Sequence, residues 1–281
     1  VRGLADFNGD ARLDLMVRGG VLLGDGAGSF GPRLSHGVDG TTAASDFDAD
    51  GRLDLAIVSA EGLFVLRGIG DGTFAMGASY EIQGTDLAVG DLDQDGSLDI
   101  SVAAGVIENF YGNGDGSVGR DFPSYPVGTR PVDLATGDLN RDHRVDLVVA
   151  NGQSSTVSVL LGAPGGTFLP GPDFVTGHWP TNLVLQDFDQ DGNLDLAVAE
   201  RGPGTVSIFG GHGDGTTVKA QKDRFAEARA RADDGGRRAR IDRRCRGVDR
   251  DQLAGADLEN PERLRREVVD DVHLRESQPS R

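Results

Sequence analysis

One nine-residue acidic loop, written five times, constrains this chain more than any other feature of its sequence. The clearest copy is Asp187-Phe188-Asp189-Gln190-Asp191-Gly192-Asn193-Leu194-Asp195, and its siblings begin at Asp6, Asp46, Asp91 and Asp138. Carboxylates crowded this closely repel one another unless a positive charge sits between them, and an all-oxygen set at alternating positions suits a hard cation such as Ca2+. Asp187, Asp189 and Asp191 converge from one side of a tight turn, and Gly192 lets the backbone take the left-handed conformation that closes it. The backbone carbonyl of Asn193 and the carboxylate of Asp195 complete the shell. The corresponding sets are Asp6, Asn8, Asp10, Arg12 and Asp14; Asp46, Asp48, Asp50, Arg52 and Asp54; Asp91, Asp93, Asp95, Ser97 and Asp99; and Asp138, Asn140, Asp142, Arg144 and Asp146. In each set the seventh residue is expected to contribute its carbonyl rather than its side chain.

The flanking sequence separates these loops from an EF-hand, which needs a bidentate Glu at the twelfth position and helices on both sides. Here the twelfth positions are Val17, Ile57, Val102, Val149 and Val198, β-branched residues on short apolar runs that read as buried strands. A single Asp/Gly-rich turn could be a surface loop that binds nothing. Five with the same alternation argue for a cation cage.

Successive loops start 40, 45, 47 and 49 residues apart. A period of this size filled with short strands points to propeller blades rather than a helical solenoid. In the second copy a strand over Thr42 to Ser45 enters the loop, a second leaves over Leu53 to Ser59, a third runs from Leu63 to Arg67, and a fourth from Thr73 to Ile82. Runs such as Leu55-Ala56-Ile57-Val58 and Leu147-Val148-Val149-Ala150 are apolar on both faces, as strands sandwiched between blades must be. The fourth strands alternate, as Tyr80-Glu81-Ile82-Gln83 does, and belong at the outer rim. Phe7, Phe47 and Phe188, inside the loops, are expected to pack beneath the cages.

These residues resemble the FG-GAP or VCBS repeats of integrin α-subunit propellers and of many bacterial secreted proteins. The family signature is visible in Phe30-Gly31 and Gly162-Ala163-Pro164, and the Asp-x-Asp-x-Asp-Gly-x-x-Asp cage is complete in the second, third and fifth copies. The resemblance covers about residues 1 to 216. It implies an all-β propeller of four-stranded blades with Ca2+ at the loop joining the first two strands of each blade. It also implies a ring of seven blades, of which five repeats are present here, so about two blades would be missing and the open flanks would favour self-association; a closed five-bladed ring is the competing outcome. The first and fourth copies depart from the pattern, with Asn8 and Ala11, and Asn140 and His143, at the third and sixth positions. Each loses one formal charge, and a non-glycine residue in the left-handed region is unfavourable. They are expected to be the weaker sites.

Charge divides the chain. The formal net charge is −17, but the first 218 residues carry −20 and the remainder +3. An acidic repeat region suits divalent cations and disfavours nucleic acid. The single cysteine, Cys245, lies outside the repeats, which leaves metal as their available cross-link. No segment approaches the roughly 20 apolar residues of a membrane span, so membrane insertion is not expected. The chain opens at Val1 inside a repeat without a signal peptide, and a secreted or cell-surface location is inferred from the repeats alone.

From about Thr217 the repeat pattern stops, and the fifth blade is expected to lose its fourth strand. Residues 217–281 are Arg-rich, with 15 arginines and two lysines. Two readings stand: a natural charged tail, disordered or partly helical near Asn260-Pro261-Glu262-Arg263-Leu264, and a shifted reading frame that replaces repeat codons.

No catalytic constellation stands out. There is no His-Glu-x-x-His motif, no Gly-x-Ser-x-Gly elbow and no phosphate-binding Gly-Lys pair, so the chain is not expected to be an enzyme. Trp179, in Gly177-His178-Trp179-Pro180, sits at a blade junction where an indole can stack on a sugar; Arg130 holds the comparable place one blade earlier. Covering a hydrophobic edge is the plainer role for that ring. The function expected is non-enzymatic, calcium-dependent binding or adhesion to an extracellular protein or glycan; the alternative is an accessory domain of a secreted hydrolytic or carbohydrate-active enzyme.

Overall fold

The computed structural model describes residues 3–120, 123–202, 204–215 and 218–220. Its strands form five antiparallel sheets, each running in chain order from an inner to an outer strand. Blade 1 consists of β1 (Gly3–Ala5), β2 (Asp14–Val17), β3 (Gly20–Gly24) and β4 (Phe30–Ser35). Blade 2 follows with β5 (Thr41–Ser45), β6 (Asp54–Val58), β7 (Leu63–Gly68) and β8 (Phe74–Tyr80). Blade 3 holds β9 (Asp86–Gly90), β10 (Asp99–Ala103), β11 (Ile107–Gly112) and β12 (Val118–Arg120). Blade 4 holds β13 (Pro131–Gly137), β14 (Asp146–Asn151), β15 (Thr156–Ala163) and β16 (Thr167–Pro170), with β17 (Phe174–Val175) also paired to β15. Blade 5 is β18 (Pro180–Gln186), β19 (Asp195–Glu200), β20 (Thr205–Gly211) and β21 (Val218–Ala220).

The last strand differs from expectation. β21 pairs with β20 through Phe209↔Ala220, Gly210↔Lys219 and Gly211↔Val218, so the fifth blade keeps a short fourth strand beyond residue 216. An edge strand needs only backbone donors and acceptors in register, and it forms without the alternating side-chain pattern that the sequence reading required. The rest of the Arg-rich segment lies outside the described residues.

Packing follows the two-faced strands. Four apolar clusters fill the gaps between successive blades. Leu55 and Ile57 of β6 join Phe7, Met16 and Val21 of blade 1, whereas Ala56 and Val58 of the same strand join Ile100, Val102 and Phe110 of blade 3. Because successive side chains of a strand point to opposite faces, a blade buried on both sides must be apolar at every position. The fourth strands β4 and β8 are largely exposed, as the alternation predicts.

Polar contacts also tie the blades together near their inner strands. Thr41 Oγ1 of blade 2 donates to Thr85 O (3.1 Å), and Thr85 Oγ1 to Pro131 O of blade 4 (2.7 Å). Asp86 Oδ2 of β9 accepts from Leu134 N of β13 (2.8 Å), and Asp133 Oδ2 of β13 accepts from Leu183 N of β18 (2.5 Å). In blades 3 and 4 one carboxylate thus reaches to the next inner strand.

The series ends at blades 1 and 5. Val157 of β15 is 0% exposed against blade 5, while Val206, its counterpart in β20, is 50% exposed. On the other flank Leu13 and Phe30 are exposed, although their counterparts Leu53 and Phe74 in blade 2 pack into the first cluster. Among the described residues no strand pairing and no apolar cluster joins blade 5 to blade 1.

Candidate metal centre

Each acidic loop lies between the first and second strands of its blade and folds around its first carboxylate. In the second copy Asp46 Oδ1 accepts from Asp50 N (3.1 Å) and Asp46 Oδ2 from Gly51 N (2.8 Å), and Asp48 Oδ1 also accepts from Asp50 N (3.2 Å). Asp50 Oδ1 accepts from Arg52 N (2.9 Å). The third and fifth copies repeat these bonds with Asp91, Asp93, Asp95 and Ser97, and with Asp187, Asp189, Asp191 and Asn193. Short side-chain oxygens that accept from nearby backbone N–H groups stabilise a turn locally, so the loop shape is written within nine residues.

The ninth residue departs from a simple ligand role. Asp14, Asp54, Asp99, Asp146 and Asp195 are all at most 1% exposed, and each opens the second strand of its blade. In every copy both carboxylate oxygens accept backbone N–H groups. Asp146 Oδ2 takes Leu139 N (2.8 Å) from the loop and Oδ1 takes Gly162 N (2.7 Å) from the third strand. Asp99 does the same with Leu92 N (2.7 Å) and Gly112 N (2.8 Å). Asp14 bonds Phe7 N and Gly24 N, Asp54 bonds Phe47 N and Gly68 N, and Asp195 bonds Phe188 N and Gly211 N. This carboxylate therefore pins the loop to the blade before any ion is considered. The donating glycines are fixed by space: a Cβ at Gly112 or Gly162 would strike the backbone of Leu98 or Val145. Burial, opposed by the two backbone bonds, pushes the Asp99 carboxyl up to about 6, and it raises Asp54 and Asp146 as well, with the neighbouring loop carboxylates adding to the shift.

Three loops gather carboxylates closely enough to hold a metal ion. Asp46, Asp48 and Asp50, then Asp91, Asp93 and Asp99, then Asp187, Asp189 and Asp195 each bring oxygens within 4.8 Å of one another. An all-oxygen set of this kind is compatible with Ca2+. These are the three copies whose sequence pattern is complete. In the other two, the third-position amide turns toward the fifth carboxylate: Asn8 Nδ2 donates to Asp10 Oδ2 (3.2 Å) and Asn140 Nδ2 to Asp142 Oδ2 (3.1 Å). The first and fourth loops keep the same backbone bonds, with Ala11 N and His143 N donating to Asp6 Oδ2 and Asp138 Oδ2.

Backbone angles refine the comparison of the two departing copies. The sixth position is left-handed in all five loops, at Ala11, Gly51, Gly96, His143 and Gly192. The fourth position is left-handed too, at Gly9, Ala49, Gln94, Arg141 and Gln190. The sequence reading missed that second requirement because four of the five residues there are not glycine. The first loop has exchanged its glycine from the sixth position to the fourth, so it carries one strained residue like its complete siblings. The fourth loop carries two, Arg141 and His143.

The seventh side chain, expected to be a bystander, also takes part. Arg144 lies 3.3 Å from Asp142, Arg52 3.5 Å from Asp50 and Arg12 3.9 Å from Asp10. These guanidinium groups offset part of the carboxylate repulsion within the loop.

Neighbouring blades brace the loops from outside. Gly72 N donates to Phe7 O (3.2 Å), Gly116 N to Phe47 O (3.2 Å) and Gly215 N to Leu139 O (3.3 Å), in each case from the Gly-Asp-Gly turn of the following blade where the sequence has one. A side chain at Gly116 would press on Arg67 and Asp48, and its left-handed φ also favours glycine. Phe7 and Phe47 are buried beneath their loops as expected, and Leu92 and Leu139 take that place in blades 3 and 4. Phe188 is only half-buried, because no further blade covers it among the described residues.

Residues 46–102 and 138–198 match the family model for the FG-GAP-like repeat. This chain carries FG-GAP-like repeats. The two matched spans contain the loops at Asp46, Asp91, Asp138 and Asp187, and domains built from FG-GAP-like repeats are typically non-catalytic binding domains. Among solved structures, a lectin from Agrocybe aegerita that recognises non-reducing terminal N-acetylglucosamine is similar at 19% identity with a TM-score of 0.53, covering 77% of this chain. The similarity spans 64% of the lectin's own length and establishes the shared fold. The Vibrio cholerae biofilm matrix protein Bap1 is similar at 17% identity with a TM-score of 0.46, over 76% of this chain and 37% of Bap1. No curated protein sequence matches the chain significantly. Among the described residues no helix is long and apolar enough to cross a membrane.

Proposed function

We propose that this chain is a calcium-stabilised, non-enzymatic propeller that binds an extracellular protein or glycan, on a secreted or cell-surface protein. The observation that carries the reading is the convergence of three carboxylates in each of three loops, on a backbone template that all five loops share. In the complete copies the first, third and fifth side chains, the seventh carbonyl and the ninth carboxylate supply the ligands. The ion's role is structural: by neutralising the loop it holds the first and second strands of a blade together and stiffens the surface on which the neighbouring blade rests. The scaffold then presents loops to a partner, while its acidic surface turns nucleic acid away. The half-covered faces of blades 1 and 5 are quasi-equivalent to the two sides of every internal blade junction, which favours head-to-tail association of copies.

The test is thermal unfolding in chelator and in millimolar Ca2+. A ligand that binds only the folded state at 100 times its Kd adds about 2.7 kcal/mol per site, so three occupied loops should raise Tm by many degrees. Identical melting curves in the two conditions would refute the reading.

A further inference from the structure

Nine described residues other than glycine adopt positive φ, and six of them belong to the acidic loops. The remaining three, Arg130 (φ 58°), Ser155 (φ 56°) and Trp179 (φ 66°), meet at one place. They lie at the junction of blades 4 and 5, at the end of the blades away from the cages. Trp179 N donates to Ser155 Oγ (3.4 Å), and the Arg130 guanidinium carbon sits 5.6 Å from the centroid of the Trp179 indole. The His178 ring lies 5.9 Å from the same indole at an interplanar angle of 27°. Large side chains held in a sparsely populated backbone region persist only where the surroundings over-determine them, and such strain collects at binding sites.

The surroundings do over-determine them. Glu200, 5% exposed, accepts from Gly177 N (2.6 Å), Thr205 Oγ1 (2.7 Å) and Ser207 Oγ (2.7 Å), and so ties the turn that carries His178 and Trp179 to the second and third strands of blade 5. Arg201 N and Gly202 N donate to Trp179 O (2.9 Å) and His178 O (3.1 Å). On the blade 4 side Gly152 N holds Arg130 O (2.8 Å), and the fully buried Asn151 behind that turn keeps its Oδ1 without a protein partner.

We infer that this rim is a binding site for an acidic saccharide, with Arg130 and Trp179 as its principal contacts. Stacking on an aromatic ring leaves the in-plane N–H fork of a guanidinium free, and that fork matches a carboxylate in bidentate fashion. Arg130 is exposed and no acidic partner engages it among the described residues, in a repeat region whose net charge is strongly negative. A sugar carboxylate between Arg130 and His178 would place the pyranose against the part-exposed indole, with the hydroxyls of Ser154 and Ser155 alongside. An acidic peptide would satisfy the fork but leave the indole and the hydroxyls without matching groups. The inference deepens the proposed binding function and rests on it, but not on metal at the loops.

Trp179 is the single tryptophan of the chain, so tryptophan emission, excited clear of tyrosine absorption, reads this site alone. The full chain in saturating Ca2+ is titrated with tri-galacturonic acid, with neutral chitotriose and with tri-glutamate. Tri-galacturonate should shift Trp179 emission saturably, and more weakly at high salt. Arg130→Gly removes the guanidinium while relieving the left-handed strain, so the variant folds; it should weaken binding by about tenfold or more. Arg130→Lys, which keeps charge but not the fork, should fall between. No emission change, equal binding by Arg130→Gly, or an equal response to tri-glutamate or chitotriose would overturn the assignment. A chain that melts identically with and without Ca2+ yet still binds tri-galacturonate would sink the metal reading and leave this one standing.

Discussion

Replacing Asp146 by alanine separates the two roles that its carboxylate combines. Both oxygens are spent on buried backbone donors, Leu139 N at 2.8 Å and Gly162 N at 2.7 Å, and the residue is 0% exposed. Removing the acceptor leaves two N–H groups without partners, and each such group costs about 1–3 kcal/mol. The expected loss is therefore roughly 2–6 kcal/mol, reduced somewhat because the carboxylate's own burial, which raises its pKa, no longer has to be offset. Domains of this size have only about 5–15 kcal/mol to lose. Asp142→Ala is the control, since that side chain lies on the loop surface and caps only a local turn. Urea unfolding of both variants in chelator, with no metal to bind, is the decisive assay. Asp146→Ala should lose most of its midpoint and Asp142→Ala little. If Asp146→Ala unfolded in chelator like the parent chain and differed only in its Ca2+ response, the ninth position would be a ligand and nothing more, and the pinning role would be refuted.

Calorimetric Ca2+ titration of single-loop variants should show the tightest sites lost with Asp46→Ala, Asp91→Ala or Asp187→Ala; loss of the tightest site with Asp138→Ala would contradict the ranking. His143→Gly should stabilise the chain by about 0.5–1 kcal/mol, because it trades a left-handed residue's strain for glycine's larger unfolded entropy, and a melting temperature at or below that of the parent would count against it. The Asp133 carboxyl is held well above the usual carboxylate range, first by desolvation and then by the charge of Asp86, to which it is hydrogen-bonded. A raised folded-state pKa contributes stability that is fully present below the unfolded value near 3.8 and lost as pH rises through the folded value. Asp133→Asn should therefore gain stability relative to the parent as pH rises, measured by urea melts in chelator at pH 5 and pH 8; parallel stabilities at the two values would refute it. Val206→Glu should abolish concentration-dependent association in sedimentation velocity if the blade 5 face mediates it, and unchanged association would exclude that face.

Much of this architecture can be read along the chain because its determinants are local. The alternation of Asp46, Asp48 and Asp50 and the position of Gly51 specify a loop whose hydrogen bonds stay within about five residues, and the structure repeats that loop in every copy. The two-faced run Leu55-Ala56-Ile57-Val58 announces a strand buried on both sides, and its neighbours on the two sides are indeed different blades. The left-handed fourth position stayed hidden because Ala49, Gln94, Arg141 and Gln190 carry no signal for it. The fourth strand of blade 5 was equally hidden, since backbone pairing to β20 leaves no mark on side-chain pattern.

The sequence by itself determined the repeat, the four-stranded blade, the acidic loop and which three copies are complete, since each depends on residues close together in the chain. Tertiary structure alone decided what depends on partners far away in the chain. Leu183 N reaches Asp133 and Leu134 N reaches Asp86 across blade boundaries. Gly116 N braces Phe47 O in the preceding blade. Arg130, Ser155 and Trp179, drawn from three separate turns, become neighbours only when blade 4 is laid against blade 5. Val157 and Val206 make the same point with one residue type at one strand position: the first is buried and the second half exposed, and among the described residues only the first has a further blade beside it.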